Sequence, residues 1–105
     1  MIHHLVLMKL NPDASDETVE WMMRETRMML LKIPEVLAVR CGKRVDEKQE
    51  WPFFLSLEFE STEKLAVYMA DPIHIKYRDE VILPNISTFL MLDYEMEPGK
   101  DVRYS

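Results

Sequence analysis

Residues 2–10, IHHLVLMKL, read as a β-strand with no polar face. Side chains alternate between the two sides of a strand. Ile2, His4, Val6, Met8 and Leu10 therefore point one way, and His3, Leu5, Leu7 and Lys9 the other. Both rows are largely apolar, and a strand of this kind needs cover on both faces. A chain of 105 residues has little mass for two covering layers. One layer is expected from its own helices and the second from another copy of the same chain.

The rest of the chain supplies the first layer. Pro12 stops the strand. Ser15 is placed to cap a helix, and Asp16 and Glu17 suit the positive end of its dipole. Val19, Met22, Met23, Thr26, Met29, Leu30 and Ile33 follow helical spacing up to Pro34. Trp21, Met28 and Leu31 lie off that stripe, where they widen the buried face or meet a partner chain. Residues 35–45 read as a second strand, and DEKQE as a polar turn. A third strand follows, with Trp51, Phe53, Leu55, Leu57 and Phe59 on one face and Ser56, Glu58 and Glu60 on the other. Pro52 marks its start or an edge. Ser61 caps a second helix over residues 62–71, with Leu65, Tyr68 and Met69 on its stripe. Pro72 interrupts it. A further helical piece is expected over roughly residues 73–83, with Ile73, Tyr77, Glu80 and Val81 on one side, closed by Pro84. ISTFLMLDYE forms the last strand.

The order strand, helix, strand, strand, helix, strand is the ferredoxin-like α+β pattern, a four-stranded antiparallel sheet with helices on one face. Two such sheets packed face to face make a dimeric α+β barrel with isologous contacts. Residues 1–95 are expected to form this one domain. Residues 96–105 form a polar tail, loosely held or draped over a neighbour.

Composition narrows the function. Net charge is −6, and the basic residues are scattered beyond the Lys43–Arg44 pair. Nucleic acid and anionic membrane surfaces call for a basic footprint that is missing here. No run of about 18 apolar residues and no small-residue cleavage site is readable, so neither a membrane span nor a secretory leader is expected. A single cysteine, Cys41, allows no internal disulfide and suits a reduced, cytoplasmic setting. Gly42 and Gly99 are the only glycines, too few for a phosphate-cradling loop. His74 with Asp71 or Asp79 lacks an established metal spacing, and the adjacent His3 and His4 cannot easily share an ion. No cofactor is expected.

The segment DPIHIKY draws attention next. Imidazole titrates near neutrality and suits proton transfer at pH 7. His74 is therefore a candidate general base, or else it binds a backbone carbonyl freed by Pro72 and fixes a helix bend. Tyr68 is a candidate donor to a developing oxyanion, or a core tyrosine. Tyr77, three residues after His74, shares its helical side and either orients the imidazole or packs. His4 enters a pocket if its strand face meets the helices; otherwise it is a satisfied core residue. The nine methionines serve as core filler at helical spacing.

Taken in order, MIHHLVLMKL, KIPEVLAVRCGKRV, LEFES, Y-x-x-DPIH and LMLDYE resemble the stress-responsive A/B barrel (Dabb, dimeric α+β barrel) domain from Ile2 to about Glu95. The resemblance implies a homodimeric barrel and leaves the activity open, because members include stress proteins without assigned catalysis as well as a plant polyketide cyclase, olivetolic acid cyclase. In the cyclase a Pro-x-His histidine acts as base, assisted by a tyrosine six residues earlier, and closes a linear poly-β-ketone. His74 and Tyr68 match that pair, and His4 matches the pocket histidine of the first strand. Phe53 and Thr26 stand where the cyclase has a histidine and a tyrosine, and Asp71 where it has another histidine. The resemblance thus implies catalytic roles for His74 and Tyr68. It implies a pocket with His4, Phe53 and Thr26 at its wall, to which helical spacing from His74 adds Tyr77, for a small apolar or polyketide-like ligand. The competing reading is a structural, stress-associated dimer whose core Phe53, Trp51 and the methionines fill completely.

Overall fold

A computed structural model describes residues 1–97 of the chain. Strand β1 spans Ile2–Leu10, helix α1 Asp16–Leu30, β2 Ala38–Lys43, β3 Phe53–Phe59, α2 Thr62–Ala70, α3 Pro72–Tyr77 and β4 Ile86–Glu95. The strands form one antiparallel sheet in the order β2-β3-β1-β4, and the helices lie on one side of it. This is the ferredoxin-like α+β fold. Most of the tail, from residue 98 on, lies outside the described residues.

Local chemistry explains the boundaries. The Ser15 hydroxyl accepts from the Thr18 amide at 3.1 Å and starts α1. The Ser61 hydroxyl does the same for α2 through the Lys64 amide. Helix α1 stops at Leu30, three residues short of the stripe's last member, Ile33. A residue before proline is pushed out of helical geometry, so the chain tightens ahead of Pro34, with amides of Lys32 and Ile33 reaching back only three residues. Ile33 is nevertheless buried in the core.

The expected single helix over 73–83 is instead three pieces. Pro72 opens α3, with Asp71 as its cap accepting from the Ile73 amide at 2.8 Å. One wide π-helical turn, Arg78–Ile82, and a 3₁₀ turn, Leu83–Asn85, follow. Pro84 lacks an N–H and would collide with the carbonyl four residues back in an α-helix. The Asn85 side chain donates from Nδ2 to the Val81 carbonyl at 2.8 Å.

Register sorts the side chains. His4, Val6 and Met8 lie opposite Leu57, Leu55 and Phe53 on one side, and opposite Asp93, Met91 and Phe89 on the other. All face the helices, as do Val39 and Cys41 of β2. The core sits there, built from Met8, Met22, Leu30, Phe53, Leu57, Phe59, Tyr68 and Tyr77. The opposite sheet face carries Leu5, Leu7, Phe54, Leu90, Leu92 and Tyr94 with no layer of this chain over it. On that face Phe54 pairs with Gly42, where an added Cβ would stand 2.9 Å from the ring, so glycine makes room for the aromatic.

Candidate active site

A cavity of about 150 Å³ opens between β1, β4 and the α2–α3 junction. Its wall is mostly apolar: Val6, Met8, Leu55, Phe89, Met91 and Ile82 contribute to it. His4, Tyr68 and His74 break that apolar lining. The ring of Tyr68 lies 4.4 Å from that of His74 and 6.1 Å from that of His4, centre to centre, so the three meet at one spot.

Each polar side chain is held by a second group. The His74 Nδ1 bonds the Met69 carbonyl oxygen at 3.1 Å. The Ile73 amide would normally take that carbonyl, but the Asp71 side chain holds the amide instead. The break at Pro72 therefore both frees the acceptor and aims the imidazole. Donation from Nδ1 leaves Nε2 as the nitrogen with a lone pair. His4 Nδ1 meets Asp93 Oδ1 at 2.5 Å, directly across the β1–β4 ladder, and its Nε2 is likewise left over. Every fully enclosed side-chain nitrogen or oxygen among the described residues has a partner. The two Nε2 atoms and the Tyr68 hydroxyl have no partner among these residues, and their side chains line the cavity together with the half-exposed cation Arg78.

Electrostatics assign their protonation. Burial pushes the His74 pKa below its ordinary 6.5, and the Arg78 charge adds to this against the Met69 bond. His74 is accordingly neutral at pH 7. Burial, with Tyr77 nearby, pushes the Tyr68 hydroxyl upward, which keeps it a protonated donor. The set offers two lone pairs and one O–H in a mostly apolar space, a constellation suited to proton transfer.

Other sequence candidates fall elsewhere. Tyr77 lines the cavity, but its hydroxyl donates at 2.7 Å to Thr26 Oγ1, which in turn donates to the Met22 carbonyl. That chain clamps α3 to α1. Thr26 and Phe53 are enclosed in the core, on the helix-facing sides of α1 and β3, and do not line the cavity. Trp51 sits away from it, with the Lys9 ammonium 5.2 Å from its ring centre. The space expected to be filled by Phe53 and Trp51 in the structural reading is thus open. Cys41 is half-buried, its thiol pushed up by burial and directed at the Met23 carbonyl. Sequence reasoning missed Asp93, Arg78 and the β4 wall, since only the β1–β4 register and the π turn bring them to the site. Among the described residues no cluster of three or more metal-ligating side chains occurs, and no helix is long and apolar enough to cross a membrane.

The family model of the stress responsive A/B barrel domain matches residues 2–96. This chain belongs to that family. The A/B barrel domain also overlays solved structures. A protein of Arabidopsis thaliana is 24% identical with a TM-score of 0.81, covering 100% of this chain and 99% of its own. A dimeric ferredoxin-like protein of unknown function from Thermobifida fusca is 17% identical with a TM-score of 0.80, over 89% and 88%. A hydroxynitrile lyase from Passiflora edulis is 14% identical with a TM-score of 0.77, over 89% and 90%. At these identities the A/B barrel domain shares their fold. No curated protein matches it significantly in sequence.

Proposed function

We propose that this A/B barrel domain works as a homodimer that binds a small, largely apolar carbonyl compound and removes a proton beside the carbonyl. One observation carries the reading. Three polar atoms without protein partners, His4 Nε2, Tyr68 Oη and His74 Nε2, converge on a mostly apolar cavity. In this reaction the His74 Nε2 lone pair takes the α-proton. The C–H electron pair moves toward the carbonyl oxygen, and Tyr68 donates its O–H to the resulting enolate. Return of the proton from the imidazolium resets the base. His4, whose Nδ1 is engaged by Asp93, accepts a hydrogen bond from a substrate hydroxyl or a retained water.

The cavity bounds the ligand. Its 150 Å³ is about the volume that admits one benzene ring. A single ring or short acyl chain fits, whereas a long polyketide chain would extend out of the mouth. That a lyase and a dimeric protein share the fold supports both the chemistry and the assembly. The free Cys41 thiol accords with a reduced cytoplasmic setting.

Deuterium exchange tests the reading. With acetophenone in D2O, the wild-type protein is expected to speed loss of the methyl proton signal, and His74→Gln to slow it by roughly 100- to 10,000-fold. Glutamine can still donate to the Met69 carbonyl, so the fold should survive the change. If wild type shows no exchange above buffer, and no shift of the His4 or His74 imidazole signals on titration, the reading fails.

A further inference from the structure

Arg78 is the permanently charged side chain of the cavity wall. It follows His74 by one helical turn, and its amide still bonds the His74 carbonyl, so the two side chains stand on the same side of the chain. The guanidinium has five N–H donors. Its Nε donates to Asp79 Oδ1 at 2.9 Å, and neither Nη has a partner among the described residues. Arg78 and Asp79 are both about half exposed. An ion pair so placed adds little to stability, so holding the fold together is a poor account of why a cation faces an apolar cavity. The chain as a whole carries −6, so its general field repels anions. An anion kept at this mouth needs a local cation, and Arg78 supplies it. The Arg78 charge also disfavours protonation of His74, which places the two groups within electrical reach of each other.

Resting on the proton-abstraction reading above, we infer that the ligand is a small oxo acid, with its carbonyl at Tyr68 and His74 and a carboxylate held at the cavity mouth by the Arg78 guanidinium. The Cβ atoms of side chains one helical turn apart are separated by about 5–6 Å, and Arg reaches farther from its Cβ than His. A single ring with the carboxylate para to the carbonyl is the simplest ligand that presents the two groups at opposite ends. A planar guanidinium with both Nη free matches a carboxylate edge-on.

The matched probes are 4-acetylbenzoate and its neutral isostere 4-acetylbenzamide, titrated into the intact protein by NMR. Wild type is expected to bind the acid about 10- to 100-fold more tightly than the amide. Arg78→Met should erase that preference, with the larger loss on the acid. Asp79→Ala, which frees the Nε edge and removes a competing negative charge, should increase the preference. Equal affinity of wild type for both probes overturns the inference and leaves the proton-abstraction reading standing. A preference that persists in Arg78→Met also overturns it. If neither probe binds, the inference falls, and acetophenone exchange decides separately whether the proton-abstraction reading stands.

Discussion

His3 and His4 are consecutive residues on opposite faces of β1. His4 is enclosed beneath the helices, with its Nδ1 on a carboxylate and its Nε2 at a cavity. His3 bonds the Ser56 hydroxyl on the face that no element of this chain covers. The difference extends to their neighbours. Around His4 lie Phe59, Tyr68 and His74, interlocked ring against ring. Around His3 the sheet offers Leu5, Leu90, Leu92 and Tyr94, of which Leu90 and Tyr94 are 41% and 56% exposed. A bare apolar face of this kind marks an association surface. One face has spent its apolar side chains on a core and a pocket. The other has kept them for a partner, and a second copy meeting it face to face is the occupant our proposal assigns.

The comparison can be broken first on the covered side. Phe59 is fully enclosed against His4 and Tyr68. Phe59→Ala should cost about 3–5 kcal/mol of stability, read as a shifted urea midpoint. A loss below about 1 kcal/mol would mean the covered face is not the main core.

The bare side gives the next largest effect. Leu7 and Leu90 pair directly across β1 and β4. Leu7→Glu with Leu90→Glu should weaken self-association by more than about 100-fold, because unpaired charges are costly to bury at an interface. Light scattering would show monomers with an unchanged far-UV circular dichroism spectrum. Wild type that is already monomeric at micromolar concentration would remove the dimer proposal altogether.

The smallest effect sharpens the contrast by pH. Burial lowers the His74 pKa, so the unfolded chain binds that proton more readily than the native one. The contribution of neutral His74 is complete above the ordinary value of 6.5 and is lost as pH falls below it toward the depressed native pKa. Unfolding midpoints measured between pH 7.5 and 5 should decline for wild type and decline less for His74→Gln. Equal slopes would show that His74 is not held neutral by its surroundings.

Much of the architecture could be read from residue order. Alternation in β1 and β3, the caps Ser15 and Ser61, and the prolines at 12, 34, 72 and 84 mark where elements start and stop through local sterics and hydrogen bonding. These effects act over a few residues, so they survive in the one-dimensional pattern. The site was only partly readable. His4, Tyr68 and His74 could be named as candidates, but Thr26 and Phe53 point into packed interior, a result of how α1 and β3 seat against their neighbours. Asp93 is 89 residues from His4 and meets it through the register of β1 with β4. No short-range pattern carries that pairing.

The sequence alone determined the element order, the two apolar faces of β1 and the break at Pro72, because backbone sterics and strand periodicity need no distant partner. Tertiary structure decided which histidine received a carboxylate and which a hydroxyl, and why Tyr77 became a clamp on Thr26 instead of a free donor. It also decided that a cavity stayed open beside His74. Those outcomes depend on strand register and on the volume left when helices settle on a sheet, quantities that exist only once remote segments touch.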